Sequence, residues 1–425
     1  MLQTLFNIPR EAFGLPLFGF GLLFAIWLVI SVAFLAVMIW RRGFDAEVRG
    51  YLPVILFFGA AVTLVIPAIM GPAGLPIRGY GTMLVVAILS SVALGVYRAR
   101  QVGIHPETIL SMAFWAFLGG ILGARVFYVV EYWREFDQAS LSQRIFTIVN
   151  LTQGGLVVYG ALLGGALAVV LFVIKYKLPP LAIGDVVAPS VAIGLGLGRI
   201  GCFLNGCCFG GPTDLPWAVR FPAPSPPFQR QVERGEIFVH GLKLSPRADV
   251  PADIVEVERG SAASEHGLAA GARIVAINGR RVDSGAAALS ALFSIRPGEE
   301  LELDFASRPP VAWTLPAAVE LSRPIHPTQL YSAVDGIVLC FFLLAIYPFR
   351  RRDGEVLAWM MTLHPISRFL LEVVRVDEPG VFGTSLSIGQ VVSLALLVGA
   401  AIMWAYLLTR PKGTVLPTST TLSLA

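Results

Sequence analysis

The sequence predicts an all-α polytopic membrane protein of about nine transmembrane helices, N-terminus outside and C-terminus cytoplasmic, with a small extracytoplasmic α+β insert. Three observations predict it. The 425 residues are 56% hydrophobic and only 14% charged, where soluble domains carry about 25% charged residues. Apolar runs long enough to span a bilayer, or nearly so, recur along the chain. Arginine and lysine clusters follow alternate runs, the pattern by which positive charge marks the cytoplasmic side.

In order, the runs are Pro16–Trp40, Tyr51–Met70, Tyr80–Tyr97, Ile109–Val130, Leu156–Ile174, Asp185–Leu197, Ala333–Tyr347, Glu355–Leu371 and Leu386–Leu408. The first is too long for the apolar region of a signal peptide and reads as a span. Several are short for a hydrocarbon core of ~30 Å and must tilt or extend into polar flanks. Arg41, Arg42 and Arg49 follow the first run, Arg98 and Arg100 the third, and Lys175 and Lys177 the fifth. Arg350, Arg351 and Arg352 follow the seventh, and Arg410 and Lys412 the last. Every cluster therefore falls on one side. A net charge of +4 is too weak to argue for a nucleic-acid partner. With no recurring C-x-x-C pair and no His-rich tract, no metal and no cofactor is expected. The cysteines are Cys202, Cys207, Cys208 and Cys340, the first three crowded into one loop.

One stretch breaks the pattern. Cys202–Ile325 is rich in charge and proline, holds no span, and falls outside by the topology. Within it Ile254–Val257 alternates like a strand, Arg273–Ile277 reads as a second, and Leu301–Phe305 alternates again. Asn278-Gly279 signals a tight turn with Arg281-Val282 returning, and Ser284–Ile295 reads as a helix. Val257-x-x-Gly260-Ser261-x-Ala263, followed by Gly267-Leu268-x-x-Gly271-Ala272-x-Ile274 and Asn278-Gly279, resembles the PDZ domains of bacterial envelope proteins. That resemblance implies an envelope peptide or C-terminus as partner, added at a sheet edge with its carboxylate held by backbone amides. Gly241-Leu242-Lys243-Leu244 is the expected carboxylate loop. The alternative is a spacer that keeps the fold without the groove.

Ionisable residues in or beside the spans carry the functional signal. Arg199 closes the apolar run Val186–Leu197 and opens Ile200-Gly201-Cys202-Phe203-Leu204-Asn205-Gly206. An arginine at a helix centre costs roughly 2.5–3.5 kcal/mol on insertion scales. Something negative has to be met at that depth, and the obvious anion inside a bilayer is a lipid phosphate. Arg125 lies in Gly123–Tyr128, and alone it also fits an interfacial arginine that snorkels. Arg368, Glu372 and Arg375, at i, i+4 and i+7, share one helix face with net positive charge. Tyr80 follows Arg78 at the start of a span. Gly154–Gly160 and Gly164-Gly165 suit close helix packing or close approach of a ligand, and Tyr159 is the polar side chain on offer there. These residues imply a lateral cavity lined by arginines, and phospholipid handling. They do not by themselves specify a reaction.

Six ordered motifs, over roughly Ile77 to Leu408 apart from the insert, resemble the bacterial prolipoprotein diacylglyceryl transferase family. They are Gly120–Tyr128, Gly154–Gly165, Asp185-x-x-x-Pro189 with Gly198–Gly210, His326–Tyr331, Arg368–Glu372 with Arg375 and Asp377, and Ser387-x-Gly389-Gln390. The resemblance implies transfer of diacylglyceryl from phosphatidylglycerol to the lipobox cysteine of preprolipoproteins, giving a thioether and glycerol phosphate, in the bacterial cytoplasmic (inner) membrane. It implies Arg199 as principal headgroup contact, Arg368 as second catalytic arginine and Glu372 as its orienter. Asn205, Gly210, Arg125, Tyr80, His326 and Arg375 are the implied substrate contacts. The implied organisation is 1–76, two added helices; 77–222 and 324–412, the transferase core; 223–323, the insert, PDZ-like over about 238–318; and 413–425, a cytoplasmic tail.

The chain departs from the family pattern in two places. The histidine usual before the paired glycine-leucine element is Tyr159 here, and a tyrosine four residues before the last arginine motif in many relatives is His364. His364 is expected to handle the proton, with Tyr159 donating to the phosphate; a substrate carboxylate or water is the other acceptor. Cys202 stands where the family has asparagine, and Cys207 near its usual acid. These thiols read either as small apolar filling or a disulfide staple, or as a redox site. Two further readings stay open: a lipid-binding envelope scaffold that has lost its chemistry, and a thiol oxidoreductase, which leaves the arginines unexplained.

Overall fold

The computed structural model describes residues 3–44, 46–71, 74–136, 140–150, 154–376, 380–381 and 383–417. The chain divides into two compact units, Met1–Thr82 and Met83–Ala425. In the first, strand β1 (Thr4–Ile8) pairs antiparallel with β4 (Leu75–Arg78), and β2 (Glu11–Ala12) pairs with β3 (Leu15–Pro16). Between them run helix α1 (Leu22–Arg42), helix α2 (Ala46–Ala60), a π-helical turn at Ala61–Val65 and the short α3 (Ile66–Ile69). Trp27 of α1 packs where a side chain at Gly59 would stand.

Helix α4 (Gly79–Gln101) leads into α5 (Pro106–Glu131), the short amphipathic α6 (Leu141–Val149), α7 (Val158–Lys175) and α8 (Pro180–Asn205). Two seams of small residues bring these helices together. Gly123 and Gly164 face each other across α5 and α7, and a Cβ on Gly164 would strike the Gly119 carbonyl. Lipid tails offer no hydrophobic drive between helices, so close backbone contact supplies the attraction instead. The opposite side of α7 carries exposed Leu162, Leu163 and Leu167, an apolar surface suited to lipid. Helix α8 passes through Pro189 and continues eight residues past the expected run, to Asn205. Arg199 and Cys202 are therefore helical, and only Cys207 and Cys208 lie in the following turn, not all three in one loop.

After α9 (Pro226–Glu233) comes the insert: β5 (Leu242–Leu244), β6 (Ile254–Val257), α10 (Ala262–Glu265), β7 (Ile274–Ile277), β8 (Arg280–Arg281), α11 (Gly285–Phe293), β9 (Glu300–Phe305) and β10 (Val311–Thr314). The order β10-β9-β7-β8 forms an antiparallel sheet, and β5 pairs with β6. Asn278 (φ 47°) and Gly279 (φ 71°) make the expected tight turn. Leu242–Leu244, expected as a loop, is strand β5, because Leu242 and Leu244 both enter the core while the turn is confined to His240 and Gly241. Leu242, Ile254, Leu292, Leu301 and Leu303 form that core, and Phe228 and Val232 reach into it from α9.

The chain returns as α12 (Thr328–Ile346), a tight turn at Tyr347–Phe349, α13 (Glu355–Val374) and α14 (Ile388–Thr409). A second small-residue seam joins α8 to α12, with Gly196 and Gly336 backbone against backbone. Among the described residues, seven helices are long and apolar enough to cross a membrane: α1, α4, α5, α7, α8, α12 and α14. The other two expected spans are helical but stand apart from this set. One is broken by the π turn after α2, and α13 carries Glu355, His364, Arg368 and Glu372.

Replacing Gly164 by leucine is expected to force α5 and α7 apart at a cost of about 1–3 kcal/mol, read as a lower thermal midpoint of the full chain in detergent. Leu163→Ala, on the exposed side of the same helix, should leave that midpoint nearly unchanged. Equal effects of the two would contradict the seam.

Candidate functional site

The site begins with a clamp between α8 and α13. The Asp185 carboxylate accepts hydrogen bonds from Gly354 N (2.7 Å) and Leu357 N (2.9 Å), so it caps the first turn of α13 from a neighbouring helix. Arg350 Nε lies 3.6 Å from the same carboxylate, and both side chains are at most 1% exposed. The Arg350 guanidinium also donates to the carbonyls of Tyr347, Leu416 and Pro417. Arg350 and Arg98 stack on the Tyr347 ring, 3.8 and 4.0 Å from its centroid.

The clamp sets height. Arg199 lies fourteen residues after Asp185 on α8, and Arg368 lies fourteen after Gly354 on α13. Both helices run the same way from the clamp, so at 1.5 Å per residue both arginines stand about 21 Å above it. Arg368 and Arg375 both pair with the buried Glu372, the second at 3.1 Å from Nη1 to Oε2. Two guanidinium groups to one carboxylate leave that face positive. Gly389, in the first turn of α14, lies against this pair: a Cβ there would sit 2.9 Å from Arg368 Nη2 and 3.1 Å from Glu372 Oε2. Ser387 and Gln390 close a capping box around the same turn, and a helix N-terminus favours nearby negative charge. The Ser387-x-Gly389-Gln390 motif thus has a physical reason.

One turn before Arg368, His364 sits in the electrostatic field of Asp335 on α12, then Arg199 and Arg368. Ser367 Oγ is 2.8 Å from Asp335 Oδ2 and 3.0 Å from the His364 carbonyl oxygen. Asp335 was not among the expected site residues. Its signal was present: a lone carboxylate inside an apolar run is costly and needs a reason.

Past α8, backbone bonds join three motifs. Gly210 N donates to His326 O (3.1 Å), His326 N to Gly211 O (3.0 Å), and Gly211 N to Val374 O (2.9 Å). Thr328 Oγ1 donates to the Cys208 carbonyl and Gln329 Nε2 to the Cys207 carbonyl, each at 2.8 Å. Trp217 Nε1 donates to Tyr331 Oη (2.7 Å), which is 3.3 Å from His326 Nδ1. The insert is tied to the same place: Arg234 Nη2 donates to Val376 O (2.8 Å).

The profile of the prolipoprotein diacylglyceryl transferase family matches residues 67–406. The chain belongs to the prolipoprotein diacylglyceryl transferase family. It is 32% identical over 443 residues to the phosphatidylglycerol–prolipoprotein diacylglyceryl transferase of Rhodopirellula baltica, an alignment covering 95% of this chain and 88% of that one. Identity to the phosphatidylglycerol–prolipoprotein diacylglyceryl transferase 2 of Clostridium perfringens is 25% over 332 residues, 78% of this chain and 91% of the relative. The phosphatidylglycerol–prolipoprotein diacylglyceryl transferase of Clostridium tetani is 39% identical over 155 residues, 36% of this chain and 60% of the relative.

Within this family member, two expected substrate contacts do other work. The Arg125 guanidinium donates to five carbonyl oxygens, those of Thr147, Ile148, Asn150, Gly154 and Gly155, at 2.6–3.1 Å. A guanidinium has five N–H donors, so nothing is left over for a phosphate. Arg125 instead caps the C-terminus of α6 and folds the chain entering α7. Gly210 is buried, and a Cβ there would strike His326 and Thr328, so its part is to let two backbones meet. Tyr159 opens α7, which packs on α5. Tyr80 belongs to the Met1–Thr82 unit, half exposed on the first turn of α4. Asp377 lies outside the described residues.

Arg125→Lys, with three donors for five acceptors, is expected to speed amide exchange in peptides covering Thr147–Asn150 and Gly154–Val157. The peptide holding Arg199 should exchange as before. Unchanged exchange near α6 would contradict the capping role.

Proposed function

We propose that this chain transfers the diacylglyceryl group of phosphatidylglycerol to the lipobox cysteine thiol of preprolipoproteins, forming a thioether and releasing glycerol phosphate. Membership in the family supports the reaction. The observation that carries the residue assignment is that His364 lies within electrostatic reach of Asp335, Arg199 and Arg368, with Ser367 Oγ bonded both to Asp335 and to the His364 carbonyl.

The lipobox thiol, ordinarily near pKa 8.5, gives up its proton, and His364 accepts it. The sulfur attacks the glyceryl carbon that bears the phosphodiester. A C–S bond forms as the C–O bond breaks, and the electron pair leaves on the glycerol phosphate oxygen. Arg199 and Arg368 offset the charge gathering on that phosphate, an effect magnified where water is scarce. Glu372 is the orienter: it holds Arg368 and Arg375 in one plane of approach. Asp335 steadies His364. Asn205, His326 and Arg375 contact substrate beside the signature turn. Tyr159 as donor to the phosphate, and Tyr80 as a substrate contact, rest on motif position alone.

The same proposal places α2 with α3, and α13, as two further spans, making nine. The N-terminus and the insert then face outward and the C-terminus the cytoplasm, in the cytoplasmic (inner) membrane of a bacterium. The division into 1–76, 77–222, 223–323, 324–412 and 413–425 is retained on the same terms. For the insert, the strand order supports a PDZ-like fold. Phe228 of α9, however, lies against Phe293 of α11 with ring centroids 6.4 Å apart, and Gln229 and Glu233 line a cleft with Leu289 and Ser290. A helix of this chain thus packs against α11, which favours the spacer over the peptide binder.

With purified full chain, phosphatidylglycerol vesicles and a lipobox peptide, Arg199→Ala and Arg368→Ala should each lower kcat/KM by ~10²-fold or more. Wild-type rates in Arg368→Ala would sink the two-arginine assignment. The His364→Ala deficit should shrink as pH rises toward the thiol's own pKa, because the nucleophile then ionises unaided. A deficit independent of pH, or none, would remove His364 as the base.

A further inference from the structure

The mechanism uses none of the three cysteines at the end of α8. Their sulfurs, on Cys202 in the last helical turn and on Cys207 and Cys208 just beyond it, all lie within 4.8 Å of one another. We propose that Cys202, Cys207 and Cys208 form a three-thiolate site for a single thiophilic d¹⁰ metal ion of the Zn(II) or Cu(I) class.

Geometry comes first. Three sulfurs each ~2.3 Å from a shared ion stand about 4 Å apart, so closing on one asks each sulfur to move by roughly half an ångström or less. Neighbouring side chains of an extended segment point to opposite sides. Cys208 has φ 58°, outside the usual region for a residue with a side chain, and this bend turns the adjacent Cys207 and Cys208 toward the same partner. The turn is held from outside: Gln329 and Thr328 donate to the Cys207 and Cys208 carbonyls, and Cys207 N donates to Cys202 O at 3.2 Å. The Asn205 side chain hydrogen-bonds Cys207, a contact of the kind that orients a metal ligand.

Charge agrees. Three thiolates around Zn(II) carry a net charge of −1, and around Cu(I) −2. Arg199 and Arg375 both act electrostatically on Cys208 and offset that excess. Binding uses the thiolate forms and displaces thiol protons to solvent, and no oxidant or reductant is needed. Bound there, the ion ties the last turn of α8 to the chain beyond Gly206. It thereby stiffens the segment that presents Arg199 and Asn205. The site revises the expectation, drawn from spacing alone, that no metal ligands are present.

The test uses the full chain in detergent, kept reduced, with Cys340→Ser so that the trio supplies every remaining thiol. Cd(II) is the probe, because its thiolate complexes absorb in the ultraviolet. The expected result is a charge-transfer band saturating at one ion per chain, and a raised thermal midpoint. Cys208→Ser, and separately Cys207→Ser, should weaken the band and the affinity for Cd(II). Cu(I) should displace Cd(II), and Zn(II), in a separate arm, should compete with it only in excess, which ranks the two. Absence of the band, a band untouched by both serine variants, or two of the three sulfurs found as a disulfide in freshly isolated chain would each overturn the proposal.

Discussion

One buried carboxylate governs how the two arginine-bearing helices meet. Asp185 sits in α8 but caps α13, and it pairs with Arg350 in a setting with almost no solvent contact. Breaking a buried pair by removing one partner typically costs 3–5 kcal/mol, because the other charge is left stranded. More important is what the pair fixes. Two parallel helices held at one end have a defined register at the other. Arg199 and Arg368 inherit their common height from a contact about 21 Å away. A sliding or rotation of α13 by one residue would turn its guanidinium by about 100°, away from where it now stands.

The glycine seams serve the same end. Gly196 against Gly336 draws α12 onto α8, and α12 brings Asp335 to Ser367, which also bonds the His364 carbonyl. Gly389 leaves room for Arg368 and Glu372 beneath α14. Around them, the Gly210, His326 and Val374 backbones are laced together, so the polar groups stand on a rigid frame. Preorganisation of this kind is what lets fixed charges stabilise a departing phosphate without reorganising during the reaction. The three-cysteine turn lies within the same frame.

Much of this was legible in the sequence, and for physical reasons. Helical periodicity alone placed Arg368 and Glu372 on one face, and they do pair; Arg375 reaches the same carboxylate from extended backbone just past the end of α13. The strands and the Asn278-Gly279 turn of the insert followed from alternation and turn chemistry. Arg125 was misread because its partners are carbonyl oxygens, which every residue carries and no sequence marks. Gly210 was misread because a glycine that permits contact and one that touches a ligand look the same as letters. Asp335 went unnoticed because its run was read for length and not for the one carboxylate inside it. The extension of α8 to Asn205 was missed because polar residues ended the apolar run, while the backbone bonds of the helix continued. The three cysteines showed no familiar spacing, since a left-handed residue, not a repeat, brings their sulfurs together.

The central claim is that one phosphate is met by both arginines at the far ends of the clamped helices. A structure of the full chain with a non-reactive phosphatidylglycerol analogue tests it most directly. The account predicts guanidinium groups of Arg199 and Arg368 within hydrogen-bond distance of the same phosphate, with His364 facing the glyceryl carbon. A phosphate held by only one of them, or seated elsewhere in the molecule, would contradict it.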